Sequence, residues 1–177
     1  MTVNAFVIGF AAAAILHCPC NAGSDVQQGP ILSPPVKHAC ISSPFGPRVL
    51  PQHPFAGTYH YGVDLPAPAG APVLATAPGT VIRVQKKGPG GLEVLVQHAG
   101  FMGIYSHLGM LAPAFAQGKR AVAAGEKLGV VGRSGVISGT HLYFEMVLAG
   151  KPVDPEPYLR LPQCTRETQR NQGDASP

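Results

Sequence analysis

Apolar and polar residues alternate along a stretch near the end of the chain, from His141 to Leu148. Successive side chains of a β-strand point to opposite faces, so every second residue of this stretch would share a face. One face would be uniformly apolar and would pack in a core; it consists of Leu142, Phe144, Met146 and Leu148. The other face would carry His141, Tyr143 and Glu145, which is typical of a strand that forms the floor of a groove.

Similar short runs of β-favouring residues are separated by glycine and proline elsewhere in the chain. The predicted strands lie near 72–76, 79–86, 92–98, 102–107, 127–131 and 141–148. No segment of ten or more residues has the clean periodicity of an amphipathic helix. Glycine (22 residues) and proline (19 residues) are abundant, which favours tight turns over helix bundles. The chain is therefore predicted to be all-β, a small antiparallel β-sandwich or open barrel.

The apolar stretch from Val3 to Leu16 is interrupted only by Asn4. It is too short for a membrane span, which needs about 20 residues. It fits the apolar region of a secretory signal peptide, although no Lys or Arg precedes it. We expect a signal peptide over 1–22, cleaved after Ala22, and therefore export. A buried apolar helix and a retained anchor are the alternatives.

Composition divides the rest of the chain into three parts. Residues 23–40 are polar and rich in proline, and we predict a linker there. Residues 41–161 form the predicted domain. Residues 162–177 are polar and are expected to be a flexible tail.

The cysteines support export. The chain contains Cys18, Cys20, Cys40 and Cys164. Cleavage after Ala22 would remove the first two and leave a pair that flanks the predicted domain. In an oxidising compartment Cys40 and Cys164 would form a disulfide that ties the tail to the start of the domain. Two unpaired thiols in a cytosolic protein are the alternative.

Charge argues against one class of partner. The net charge is +4, and charged residues make up only 12 % of the chain. The basic residues are scattered, with no run longer than Lys86-Lys87. A nucleic-acid-binding surface normally has a basic stripe with stacking aromatics, so we expect no nucleic acid as partner. A mild positive charge suits an anionic polymer instead.

Imidazole and carboxylate groups recur on the short predicted strands. If their stretch is extended, His60 and Asp64 share one face. His107 ends a second strand, and a third carries His141 and Tyr143. Imidazole and carboxylate are common zinc ligands, and zinc-bound water is a nucleophile at neutral pH. Spacing alone does not distinguish such a site from a chance His-x-x-x-Asp.

An ordered series of motifs over about residues 42–160 resembles the lysostaphin-like (M23) zinc endopeptidases. In chain order the motifs are Ser43-Pro-Phe-Gly-Pro-Arg48, His60-Tyr-Gly-Val-Asp64, Gly70-Ala-Pro-Val73, Ala77-Pro-Gly-Thr-Val81, Tyr105-Ser-His-Leu108, Gly125-Glu-Lys-Leu-Gly129, Gly139-Thr-His-Leu-Tyr-Phe-Glu145 and Pro152-Val-Asp-Pro155. The resemblance implies a small antiparallel β fold of the duplicated hybrid motif type, with a groove. It also implies a zinc enzyme that acts on peptides of peptidoglycan in the bacterial periplasm or cell envelope.

By position, His60 and Asp64 resemble two zinc ligands of the family, and His107 resembles its catalytic histidine. His141 resembles the first histidine of the family's His-x-His motif, which shapes the transition state together with His107. The second histidine of that motif is the third zinc ligand, and here the position holds Tyr143. Either the phenol oxygen of Tyr143 completes the zinc site, or metal binding is weak or absent.

Two function classes follow from this departure. The first is a peptidoglycan endopeptidase with a variant zinc site. The second is a metal-poor relative that binds peptidoglycan or activates another wall hydrolase. A lipoyl- or biotinyl-type carrier domain is disfavoured, because no lysine lies in a Met-Lys-Met or Asp-Lys-Ala setting. His98 is expected to be a surface or groove-edge residue rather than a substitute ligand.

Overall fold

The computed structural model describes residues 31–48, 57–86, 88–135 and 139–165. The predicted signal peptide lies outside the described residues, as do the first part of the predicted linker and most of the predicted tail. Within the described ranges, no helix is long and apolar enough to cross a membrane.

The described backbone consists mainly of short strands. They are β1 (Gly46–Pro47), β2 (Tyr59–His60), β3 (Val63–Pro66), β4 (Pro72–Leu74), β5 (Gly79–Lys86), β6 (Leu92–His98), β7 (Met102–Leu111), β8 (Ala121–Val122), β9 (Lys127–Val131), β10 (His141–Leu148) and β11 (Lys151–Val153). The helical elements of these ranges are short: α1 (Pro113–Ala116), α2 (Glu156–Leu159) and a 3-10 turn at Gly88–Gly90. The all-β prediction is confirmed. The six predicted strands correspond to β4, β5, β6, β7, β9 and β10, with β7 longer than predicted.

Strand β10 lies inside one antiparallel sheet and is paired along both of its edges. The main path of the sheet runs β11-β10-β7-β6-β5-β8. Strands β3 and β11 share the edge of β10 that β7 does not occupy. Strand β9 pairs with β7 and with β4, and β1 pairs with β2 separately. The antiparallel arrangement confirms the predicted fold and places distant segments beside β10.

The two faces of β10 differ as the alternation predicts. The apolar side chains on its core face are at most 2 % exposed: Leu142, Phe144 and Met146. The opposite face carries His141, Tyr143 and Glu145, all half-buried. This polar face is available to line a site.

Residues 31–40, in the second half of the predicted linker, are packed against the domain. Leu32 and Val36 are buried in its core. The backbone N–H of Leu74 donates a 2.8 Å hydrogen bond to the carbonyl oxygen of Pro35. The linker prediction therefore does not hold for 31–40, because apolar side chains within this polar stretch find a place in the core.

A disulfide joins Cys40 to Cys164 across a sequence separation of 124 residues, as predicted. The backbone N–H of Cys164 also donates to the carbonyl oxygen of Ile41 at 2.8 Å. The first residues of the predicted tail are therefore held against the domain rather than flexible. The segment after Cys40 continues to Ser43, which pairs with Asp64 of β3.

His98 lies at the end of β6 and is only 3 % exposed. Its Nδ1 donates to the carbonyl oxygen of Pro78 at 3.0 Å, and its Nε2 is 3.2 Å from the hydroxyl of Tyr105. Its ring stacks on Phe101, with 4.6 Å between centroids. The expectation of a surface or groove-edge residue is wrong, because polar partners inside the domain satisfy both ring nitrogens.

Candidate functional site

Asp64 lies close to two of the histidines that the sequence predicts as site residues, His60 and His141. It stands on β3 directly opposite Tyr143 of β10. Its Oδ1 atom is 3.2 Å from Nε2 of His60 and 3.3 Å from Nε2 of His141. The fold therefore brings together side chains from β2, β3 and β10.

A glycine allows β3 to approach β10 closely beside this point. A Cβ atom on Gly62 would lie 2.4 Å from the carbonyl oxygen of Phe144 and 2.9 Å from the ring of Tyr143. A larger residue would push the two strands apart. The glycine between His60 and Asp64 is therefore needed for the position of the carboxylate.

Backbone carbonyl groups fix the proton on both imidazoles that face Asp64. Nδ1 of His60 donates to the carbonyl oxygen of Pro44 at 2.9 Å, and Nδ1 of His141 donates to that of Gly139 at 2.8 Å. A carbonyl oxygen only accepts, so in each neutral ring the Nε2 atom presents a lone pair to the carboxylate. Lone pairs and an ionised oxygen repel each other unless a proton or a metal ion lies between them.

The carboxyl group of Asp64 is held in its ionised form. Burial alone would raise its pKa, but where a proton lies on Nε2 of His141 and His60, their hydrogen bonds and charge outweigh burial and hold the pKa well below its usual range. For His141, burial would lower the pKa, but the adjacent Asp64 outweighs burial and raises it. His141 therefore takes up a proton more readily than a free imidazole.

His107, on β7, lies beside His141 of β10. Its ring centroid is 4.8 Å from that of His141, in an edge-on arrangement. Its φ of 66° is in the left-handed region, which is uncommon for a residue with a side chain. Nδ1 donates to the carbonyl oxygen of Ser134 at 2.9 Å. Burial lowers the pKa of His107, so the ring is neutral at neutral pH and carries its lone pair on Nε2.

Ser134 supports this ring and was not singled out from the sequence. Its hydroxyl donates to the carbonyl oxygen of Leu108 at 2.8 Å and accepts from the backbone N–H of Leu92 at 2.9 Å. The residue thus connects the loop after β9 to β6 and β7. No sequence signal would have found it, because its contact with His107 is made by a backbone carbonyl, which every residue has.

Tyr143 lies at the predicted third ligand position. Its ring centroid is 5.3 Å from that of His60 and 6.2 Å from that of His107. The hydroxyl donates to Oε2 of Glu145 at 2.8 Å. Burial, and then the neighbouring carboxylate of Glu145, raise the pKa of Tyr143 far above its ordinary value. The phenol is therefore neutral.

His60 and Asp64 are the strongest donors for a zinc ion. Ligand atoms about 2.0–2.1 Å from a tetrahedral zinc are about 3.3 Å from each other, and the observed separation is 3.2 Å. The Nε2 lone pair and the ionised carboxylate suit a cation. Within the described ranges, no three His, Cys, Asp or Glu side chains are arranged to hold one metal ion. The residues therefore fit zinc as a pair.

Comparison with known proteins agrees with the resemblance found in the sequence. The family model of peptidase family M23 matches residues 58–155, more than half of the chain. DD-carboxypeptidase/endopeptidase Mpg of Neisseria meningitidis serogroup B is 40 % identical over 124 residues, which cover 68 % of this chain and 27 % of Mpg. Peptidoglycan DD-endopeptidase ShyA of Vibrio cholerae is 33 % identical over 117 residues, which cover 64 % of this chain and 26 % of ShyA.

A solved structure supports the same relationship. The catalytic domain of the antimicrobial peptidase lysostaphin from Staphylococcus simulans matches with a TM-score of 0.60 at 26 % identity, covering 69 % of this chain and 92 % of that domain. The chain spans about a quarter of the length of the two curated relatives described above. Fold, motif order and family match agree, and the chain belongs to peptidase family M23.

Proposed function

We propose that this chain is a zinc-dependent endopeptidase that hydrolyses peptide bonds in the stem or cross-bridge peptides of peptidoglycan, in the periplasm or cell envelope. The names of the relatives support the class of substrate, since ShyA is a peptidoglycan DD-endopeptidase. The observation that carries the proposal is the placement of Oδ1 of Asp64 within 3.3 Å of Nε2 of both His60 and His141.

In this proposal His60 and Asp64 hold the metal, with the oxygen of Tyr143 as third donor. A bound zinc lowers the pKa of water to about 7 and so supplies a nucleophile at neutral pH. The hydrogen bond from Tyr143 to Glu145 occupies the proton of the phenol and leaves lone pairs on its oxygen.

The two remaining histidines have complementary roles. His107 is neutral, and its Nε2 is suited to accept a proton as general base. His141 takes up a proton readily, so as a cation it would stabilise negative charge on the carbonyl oxygen of the substrate. The edge-on contact between their rings, with 4.8 Å between centroids, supports this pairing of roles.

Zinc content and wall hydrolysis together test the proposal. Purified protein should contain about one zinc per chain and release peptides from peptidoglycan. His60→Ala should lose the zinc and the activity. His107→Ala should keep the zinc and lose most of the activity, by about 10²-fold or more. Protein with neither zinc nor hydrolysis would overturn the proposal.

A metal-poor relative that binds peptidoglycan or activates another wall hydrolase is the second candidate. The observation that favours it is the commitment of the Tyr143 hydroxyl to Glu145, which leaves a neutral phenol where a strong ligand is needed. In that case the protein would bind insoluble peptidoglycan without cutting it. Zinc would then be retained only in Tyr143→His.

A further inference from the structure

An open cavity of about 240 Å³ is lined by Phe45, Tyr59, Tyr61 and Pro152. The ring of Tyr59 meets that of Phe45 edge to face at 5.4 Å and lies 5.0 Å from that of Tyr61. Tyr59 is 38 % exposed and Tyr61 is 52 % exposed. Tyr59 and Tyr61 precede and follow His60 in the sequence. Two residues that line the cavity are therefore direct chain neighbours of a candidate zinc ligand.

The strand register places this cavity at one end of the polar face of β10. Pro152 of β11 stands opposite Val147 of β10, and residues paired in this way project to the same face of a sheet. Val147 shares its face with Tyr143 and Glu145, because alternate residues of a strand do so. Pro152 therefore lies on the groove side, four residues or about 13 Å along β10 from Tyr143.

The lining indicates the kind of group that the cavity accepts. None of the described lining residues is charged, so an uncharged group with an apolar face suits it. A pyranose ring has apolar C–H faces for aromatic rings and hydroxyls at its edge for phenol groups. The volume is below the range of about 300–1,000 Å³ for drug-sized ligands, which suits a single ring.

We propose that this cavity is a saccharide subsite, which holds a neutral sugar ring of the glycan strand while the attached stem peptide lies along β10 toward Tyr143. The inference rests on the proposed function for its choice of polymer. Stem peptides are only a few residues long, and about four extended residues span 13 Å. A sugar in the cavity would thus be joined to a peptide that reaches Asp64 and the histidines.

Binding of a peptide-free glycan tests the subsite without any hydrolysis. The probe is chitotetraose, four β-1,4-linked N-acetylglucosamine units, titrated into the full chain by calorimetry. The chain has no tryptophan, so tyrosine fluorescence gives a second readout of the cavity. Tyr61→Ala should weaken binding by about tenfold, and Tyr61→Phe should retain most of it. Met110→Ala is the matched control, because Met110 is a 66 % exposed apolar side chain that does not line the cavity.

Three results would overturn the subsite. The first is no binding of chitotetraose by the unchanged chain, and the second is equal binding by Tyr61→Ala. The third is weakened binding of a sugar-free stem peptide in Tyr61→Ala with unchanged binding of chitotetraose, which would assign the cavity to peptide. The proposed function can fail independently of the subsite. If the protein contained no zinc and hydrolysed no peptidoglycan, but bound chitotetraose in a way that depended on Tyr61, the peptidase function would be wrong and the saccharide subsite would still be supported.

Discussion

The Nδ1–H group of His107 donates a hydrogen bond to the backbone carbonyl oxygen of Ser134, with 2.9 Å between the two atoms. The hydroxyl of Ser134 in turn joins the backbones of Leu108 and Leu92. His107 has a left-handed backbone with a φ of 66°, and such conformations persist only where the surroundings hold them. The orientation of the His107 ring therefore depends on a loop that the Ser134 hydroxyl ties to two neighbouring strands.

Ser134→Ala is expected to lower kcat about tenfold with little change in KM, because the loop that orients His107 loses two hydrogen bonds. Stability should fall by about 1–2 kcal/mol, since the N–H of Leu92 loses its partner. Steady-state kinetics and urea unfolding measure the two effects. Ser134→Thr keeps the hydroxyl and should restore kcat. A rise in KM at constant kcat would show that Ser134 does not act through His107.

Tyr143→His is expected to raise zinc affinity by about tenfold or more, because imidazole is a much better zinc ligand than a neutral phenol. Competition with a chromogenic chelator measures the affinity. Tyr143→Phe removes only the oxygen and is the matched variant, which should bind zinc more weakly than the unchanged chain. If Tyr143→Phe bound zinc as well as the unchanged chain, the phenol oxygen would not be a ligand.

His98 should make the fold sensitive to mild acid. Burial holds its pKa below the ordinary value, although carbonyl groups such as that of Pro78 act in the opposite direction. The unfolded chain binds a proton at His98 near pH 6.5 and the folded chain does so only at lower pH. Above pH 6.5 the free energy of unfolding therefore does not depend on the titration of His98. As the pH falls from there toward the pKa of His98 in the folded chain, the free energy of unfolding decreases by at most about 1.4 kcal/mol per pH unit.

The comparison that isolates this effect is unfolding by urea at pH 7.5 and pH 5.0. His98→Asn keeps a group able to donate to Pro78 and cannot take up a proton. The difference in stability between the two pH values should be smaller in His98→Asn than in the unchanged chain. An equal difference would mean that other groups account for the acid sensitivity.

Loss of the disulfide between Cys40 and Cys164 is expected to cost about 4–5 kcal/mol on the chain-entropy model, because the closed loop is long. Unfolding of a Cys40→Ala, Cys164→Ala double variant measures the cost. Reductant should lower the stability of the unchanged chain to the level of the variant and leave the variant unaffected. A loss below about 1 kcal/mol would show that the disulfide does not constrain the unfolded chain in this way.

Local patterns predicted much of this fold. The period of two along β10 assigned Phe144 to the core and Tyr143 to the opposite face, because alternation is a property of the strand itself. Counting cysteines predicted the pairing of Cys40 with Cys164. The same reasoning misplaced His98, since burial of a histidine depends on whether residues far away in the sequence supply acceptors and donors.

By itself, the sequence determined the all-β class, six of the described strands, the family motifs and the presence of tyrosine at position 143, and it predicted the disulfide. All of these follow from local spacing and residue type. The tertiary structure decided how these parts meet. Strand register placed Asp64 between His60 and His141 and brought Pro152 beside the exposed tyrosines. These relationships depend on hydrogen-bonded pairing between segments far apart in the chain, and no local pattern specifies that pairing.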